Sequence, residues 1–275
     1  MNGNFLSKLT FLVIVGISNI FGNIEMKNVK VTDDIEIYMT FKEGRKYACN
    51  YTVILNGNDA LIIDSGYKEE ASLVMEDLKR RGIRPLKQIF SHPHEDHVRG
   101  YDAFGDVEIL AGEFFYEELD TSYAGIEKLE VNQVLKDGDH FSFGEHELSF
   151  MYTPGHAKCS ITTIIDKKYF HVGDLVFRTE DRLLSIPYLG ENNSNYVRSL
   201  EIIKEGKPDK LMLGHGDPIE GNEKINTAID KLIYYIQNLE AGTKEITLQE
   251  CLKDDASNYG FHSLHEVNLK KHKTK

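Results

Sequence analysis

Tryptophan is absent from this 275-residue chain, and cysteine is scarce: Cys49, Cys159 and Cys251 are the whole supply. Three widely spaced thiols, odd in number, exclude a disulfide framework and a Cys-x-x-Cys zinc site. They read as free or packed side chains. Basic charge is also short, with 32 Lys and Arg against 44 Asp and Glu and a formal net charge of −12. That balance argues against a nucleic-acid partner, because phosphate binding draws on clustered Lys and Arg. Long apolar runs are missing too. The run from Leu9 to Ile17 falls short of the ~20 residues a membrane-spanning helix needs, so no stable membrane insertion is expected. With six prolines and no Pro-, Gly- or Ser-rich linker, nothing divides the chain into separate units. What remains is ordinary for a globular protein of this length, which buries a sizeable core.

Residues 1–25 carry two readings. Lys8 precedes the apolar run, and Gly16 and Ser18 are small residues suited to a cleavage point. As a signal peptide the segment implies export; as an extension without structural consequence it leaves the protein cytoplasmic, which is the expectation adopted. The folded pattern is expected over residues 26–220, with residues 221–275 as a helical tail packed on the same domain.

Within that span, strands and helices alternate. Residues 35–39 alternate apolar and polar, and residues 51–55 and 60–63 flank the hairpin signal Asn56-Gly57-Asn58. Ala71, Val74, Met75 and Leu78 repeat at helical spacing, with Gly82 as a stop. Further strands are predicted at 88–91, 107–110, 147–152, 161–165, 169–172 and 210–213, the last of them ending at His215. Short helices are predicted at 112–119 and 248–252, and a longer one from Ser194 as cap to Gly206. From Asn222, Ile225, Ile229, Leu232, Ile233 and Ile236 share one helix face. The Lys-rich end from Leu269 is expected to fray. Strand blocks separated by helices predict sheets covered on their outer faces by helices, an α/β (α+β) protein.

Residues 91–97, Ser-His-Pro-His-Glu-Asp-His, place three imidazoles and two carboxylates within six residues at a predicted strand end. These are donors for zinc and its borderline neighbours, and the lack of nearby thiolates argues against a structural cysteine site. In extended backbone His92 and His94 point the same way and can grip one metal. Asp96 and His97, past a bend, can face a second. Asp64, His156, Asp174 and His215 also follow predicted strands, beside glycines that let the backbone turn sharply. Taken singly, each reads as well as a loop, turn or cap residue. Together, and with the dense 92–97 cluster, they point to a metal site.

His92-Pro93-His94-Glu95-Asp96-His97, followed by His156, Asp174 and His215 with Asp64 upstream, resembles the metallo-β-lactamase fold superfamily over roughly residues 35–219. The resemblance implies an αββα sandwich of two mixed β-sheets flanked by helices, with the site at one edge between the sheets. It implies that His92, His94 and His156 bind one ion, that Asp96, His97 and His215 bind a second, and that Asp174 bridges them. Asp64 would orient the ligand loop. The expected cofactors are two divalent ions, Zn²⁺ first and Mn²⁺ or Fe as alternatives. Two such ions ~3.5–4 Å apart can share a hydroxide that attacks a carbonyl carbon or a phosphorus, while their charge stabilises the oxyanion. Asp96 and Asp64 are the catalytic candidates, with Asp96 orienting the nucleophile or passing a proton.

Asp174 steers the resemblance away from the antibiotic-hydrolysing members, which generally lack a bridging Asp there, and towards thioesterases, lactonases and phosphodiesterases. The expected function is a binuclear metal-dependent hydrolase of a small-molecule ester, thioester or lactone. The alternatives are a phosphodiesterase on the same fold and a mononuclear iron dioxygenase of the persulfide dioxygenase kind, using His92, His94, His156 and Asp174. Tyr188 and Arg99 are substrate-contact candidates, and residues 113–133 and 180–195 are the expected walls, with Tyr116, Tyr123, Tyr188 and Tyr196 lending aromatic character. The partner is a small molecule, and a homodimer is compatible with the sequence.

Overall fold

The structure, a computed structural model, describes residues 13–17, 23–120, 126–190, 192–243 and 245–273. One sheet holds eight strands in chain order: β1 (Val13–Ile17), β2 (Ile24–Lys30), β3 (Ile35–Lys42), β4 (Cys49–Asn56), β5 (Asp59–Ile63), β6 (Arg84–Phe90), β7 (Glu108–Gly112) and β8 (Gln133–Leu135). The first five pair antiparallel and β5 through β8 pair parallel. The second sheet holds β9 (His140–Phe143), β10 (His146–Tyr152), β11 (Ile161–Ile165) and β12 (Tyr169–His171), which continue to β14 (Lys210–Met212) and β15 (Ile219–Glu220). Between these in sequence, β13 (Leu184–Ser185) pairs parallel with β16 (Tyr259–Gly260) as a separate two-stranded piece.

Strand β5 shows how sequence builds the layers. Ala60 and Ile62 face one way and pack with Ala71, Val74 and Leu78 of α1 (Lys68–Arg80). Leu61 and Ile63 face the other way and meet Leu148, Phe150, Ile161 and Ile165 of the second sheet. A strand buried on both faces needs apolar residues at every position rather than alternate ones. The outer face of the second sheet, through Phe170 and Leu211, is covered by α4 (Asn193–Glu205) and α5 (Asn222–Ala241). The layers therefore run helix, sheet, sheet, helix. Short helices α2 (Glu95–Val98), α3 (Phe115–Glu118) and α6 (Leu248–Cys251) sit in connections, and α7 (Ser263–Lys273) closes the described chain.

Several local expectations are corrected. The cap of α4 is Asn192, whose side chain accepts from the Asn195 amide at 3.2 Å, rather than Ser194. Gly112 belongs to β7, so the helix expected over 112–119 shrinks to α3. The strand at 210–212 is followed by β15 and β16. The end from Leu269 is not frayed through Lys273 but lies in α7. There Asn268 accepts from the Leu189 amide and donates to the Pro187 carbonyl, at 3.1 and 2.8 Å. The proposed leader falls partly outside the described residues. Its described part includes β1, antiparallel to β2, and β2 itself begins at Ile24. Among the described residues no helix is long and apolar enough to cross a membrane.

Candidate metal centre

Four strand ends deliver the candidate ligands and a fifth delivers Asp64. Asp64 follows β5, the 92–97 segment follows β6, Thr153-Pro154-Gly155-His156 follows β10, Asp174 follows β12 in a 3₁₀ turn, and His215 follows β14. His92, His97, His156 and His215 are buried. All seven predicted ligands come together in overlapping groups: His92 with His94 and His156, His92 with His97 and Asp174, and Asp96 with His97 and His215.

Each imidazole is turned by its other ring nitrogen. His92 Nδ1 lies 3.0 Å from Ser91 Oγ, His97 Nδ1 lies 2.9 Å from Asp64 Oδ2, and His215 Nδ1 donates to the Ala48 carbonyl at 2.7 Å. That leaves Nε2 of all three facing the centre with a lone pair to offer. His94 offers Nδ1 instead, 3.0 Å from His92 Nε2 and 2.9 Å from His156 Nε2. In the second group His97 Nε2 and His215 Nε2 are 3.3 Å apart, and Asp96 Oδ2 is 3.3 Å from His215 Nε2. Tetrahedral donors ~2.0–2.1 Å from a zinc ion stand about 3.3 Å from one another, so both groups fit such an ion. Asp174 spans them: Oδ1 lies 3.4 Å from His97 Nε2, and Oδ2 lies 3.3 Å from His215 Nε2 and 3.5 Å from His156 Nε2. Its Oδ1 is buried without a hydrogen-bond partner, as a carboxylate kept for a cation would be.

Electrostatics separate the two groups in the metal-free protein. Burial, reinforced by neighbouring imidazoles, lowers His92 strongly and lowers His156 to about 3, with His94 lowered as well. These imidazoles are neutral and ready to ligate. Burial also opposes charge on His97, but Asp174 and Asp64 outweigh it and push His97 up to about 10. His215 is raised well above the ordinary range, again by Asp174 against burial. Asp96 and Asp174 are held below the usual carboxylate range, where His215 and His97 outweigh the burial.

Asp64, one of the two catalytic candidates, is buried behind the candidate ligands. It adopts φ of 64°, a left-handed conformation that Asp tolerates better than most side chains. Its Oδ1 accepts from the Ser91 amide, and its Oδ2 meets Ser91 Oγ, His97 Nδ1 and His171 Nε2 at 2.8, 2.9 and 3.1 Å. Sequence reasoning missed His171 and Ser91. The signal was a histidine in the otherwise apolar strand end Tyr-Phe-His-Val, three residues before Asp174. Space is equally specified at Gly214, where a Cβ would lie 2.5 Å from Asp174 Oδ1 and 2.7 Å from His97 Cε1.

The centre opens on a cleft of about 330 Å³ that includes His94, Asp96, His156, Asp174 and His215 in its lining. Tyr188 stands at its mouth, 5.6 Å from His156 between ring centres. Tyr196 is buried beneath, donating its hydroxyl to the Leu175 carbonyl at 3.0 Å. Arg99 is not in the lining: it pairs with Glu95 on α2 and lies 6.0 Å above the Tyr67 ring. Of the expected walls, 180–195 contributes Ser185, Pro187 and Tyr188, whereas none of the described residues of 113–133 lines this cleft. Tyr116 accepts instead from the Val131 amide at 2.6 Å, and Tyr123 lies outside the described residues. Cys159 is a buried free thiol, its pKa raised by burial. Missed altogether were Tyr47, Phe177, Phe261 and Leu264, which also line the cleft.

Residues 44–215 match the family model described as the metallo-beta-lactamase superfamily. A metallo-beta-lactamase type 2 from Elizabethkingia meningoseptica is 24% identical over 225 residues, covering 79% of this chain and 89% of that protein. A hydroxyacylglutathione hydrolase from Citrobacter koseri is 31% identical over 224 residues, covering 77% of this chain and 82% of that protein. Among solved structures, a metallo-beta-lactamase from Pontibacter korlensis superposes with a TM-score of 0.62 at 15% identity, covering 78% of this chain and 99% of that one. With the αββα layers and the His/Asp groups at the sheet edge, these matches place the chain in the metallo-β-lactamase superfamily of metal-dependent hydrolases.

Proposed function

We propose that this protein hydrolyses an ester, thioester or lactone bond of a small molecule, with two divalent ions held by His92, His94 and His156 and by Asp96, His97 and His215. The observation that carries this reading is Asp174, whose two carboxylate oxygens reach both groups within 3.5 Å. Bound there, divalent ions would supply an activated water and positive charge against a developing oxyanion. The dioxygenase alternative gives Asp96 no task, although it lines the cleft.

The chain's own groups divide the remaining work. Ser91, Asp64 and the Ala48 carbonyl hold the imidazole rings in their ligating orientation. Asp96, ionised and facing the cleft, accepts a proton as the water oxygen bonds to the acyl carbon. As the carbon–oxygen or carbon–sulfur bond breaks, that proton passes to the leaving atom, giving a carboxylic acid and an alcohol or thiol. General base catalysis of this kind contributes about 10²–10⁴-fold.

The test is a metal count joined to a substrate panel: a lactone, a glutathione thioester, bis-p-nitrophenyl phosphate and a β-lactam. Two ions per chain with turnover of the lactone or thioester is the expected result. Turnover of the phosphodiester alone would sustain the phosphodiesterase alternative. One redox-active iron without hydrolysis of any member would sustain the dioxygenase.

A further inference from the structure

The cleft beside the metal centre has a one-sided chemistry. Tyr47, Phe177, Leu232, Phe261 and Leu264 line it, and among the described residues neither lysine nor arginine does. Phe177 and Phe261 meet at 5.2 Å, Tyr47 and Phe177 at 5.7 Å, and Tyr47 packs edge-on against His215 at 4.6 Å. Phe261 is held at φ of 52°, an uncommon conformation for an aromatic residue that persists only where its surroundings impose it. The imposing contacts are visible: β16 pairs with β13, and the Ile186 amide donates to the Gly260 carbonyl at 3.0 Å. The chain is thereby turned so that Phe261 faces the cleft. Leu232, Phe261 and Leu264 all lie outside the 44–215 segment that matches the family model. Those three residues come from the carboxyl-terminal part of the chain, whereas Tyr47 and Phe177 come from within the matched segment.

The opposite side of the centre is different. An adjoining groove shares His94, His156 and Tyr188 with the cleft but is lined by Lys158, Lys271, Asn192 and Asn195. The reacting position thus lies at a border between apolar and polar surfaces, which orients a substrate with unlike ends.

From this asymmetry we infer that the cleft is an acyl chamber for an uncharged, medium-length or aryl acyl group, with the polar leaving group in the Lys158–Asn195 groove. The bond cleaved rests on the hydrolytic reading above; the chamber rests on the lining alone. Size agrees: a cleft of about 330 Å³ lies within the ~300–1,000 Å³ of small-molecule pockets, and an octanoyl or phenylacetyl group covers more of its apolar wall than an acetyl group does.

The experiment measures kcat/KM for p-nitrophenyl esters from acetyl to palmitoyl on the metal-loaded protein, wild type and Phe261→Ala. Burial of each methylene is worth about fourfold, so kcat/KM is expected to climb from acetyl towards octanoyl. Phe261→Ala is expected to lower the octanoyl-to-acetyl ratio at least tenfold. A second readout needs no turnover. The chain has no tryptophan, so Phe261→Trp installs a single indole, excited selectively over the 14 tyrosines, whose emission is expected to shift on adding octanoate and not acetate. Hydrolysis with a flat or falling chain-length profile overturns the chamber and leaves the hydrolase reading intact. Absence of hydrolysis at every length, with Trp emission still shifted by octanoate, overturns the hydrolase reading and leaves the chamber. An unshifted emission together with an unchanged ratio in Phe261→Ala also overturns the chamber.

Discussion

Asp64 and Gly214 show how much a single position can hold without touching substrate. Asp64 receives donors from Ser91, His97 and His171, and burial is outweighed by His97 and His171 so that its carboxyl stays well below the ordinary range. A depressed carboxylate contributes stability above its unfolded pKa near 3.9, lost as pH falls through the folded value. Asp64→Asn is therefore expected to destabilise by about 3 kcal/mol at neutral pH, because it breaks a buried charge network. Metal affinity should fall about 10–100-fold as His97 loses its orientation. Thermal melting with and without metal, and metal titration, check both. Gly214→Ala removes no ligand, but its Cβ intrudes between Asp174 and His97. Elemental analysis should find less metal per chain than in wild type, while circular dichroism stays near wild type. The seven candidate ligands, which the structure brings into groups able to hold a metal ion, were legible in sequence because donor type and strand-end position are local properties. His171 was not, since its role exists only where β5 and β12 bring it to Asp64.

At the scale of elements, α7 repays the closest reading. Its buried positions include His265 and Asn268, polar residues that apolar periodicity counts as surface. His265 meets the Tyr235 hydroxyl at 3.1 Å and the Ile246 carbonyl at 3.0 Å, and Asn268 secures both Pro187 and Leu189 around Tyr188. The helix is held by specific hydrogen bonds as much as by an apolar stripe, which is why the sequence suggested fraying. Asn268→Ala leaves the Leu189 amide without its acceptor in a buried setting, at a cost of about 1–3 kcal/mol. The expected outcome is a lower Tm and faster hydrogen exchange over residues 187–190, with metal content unchanged. Retained protection there would separate α7 from the cleft. Strand β5, by contrast, was readable, since a run of apolar residues buried on both faces looks the same in sequence and structure.

For the whole molecule, metal and fold are linked. His97, pushed up to about 10, and His215, raised well above the ordinary range, carry protons at neutral pH in the metal-free protein, and an ion in the second group must displace them. Metal uptake should release protons, measured as a dependence of calorimetric heat on buffer ionisation, and apparent affinity should rise with pH. The sign for the metal-free fold is opposite. A raised His contributes stability that is fully present below about pH 6.5 and lost as pH climbs through about 10, so the chelated protein should weaken over that interval. Chelation itself is expected to lower Tm, because an ion that binds the folded state at 100 times its Kd stabilises it by about 2.7 kcal/mol. Equal melting of the loaded and chelated forms would break the link.

The sequence by itself determined the donors, their order and their placement after strands, because side-chain chemistry and the two-residue period of a strand are local. With the resemblance those residues carried, it also determined the αββα architecture. Only the tertiary structure decided which nitrogen of each imidazole faces the centre, that Asp64 serves His97 and His171 together, and that Phe261 and Leu264 wall the cleft. Those features depend on contacts between segments up to about two hundred residues apart, and no local pattern encodes where a distant turn will set a ring.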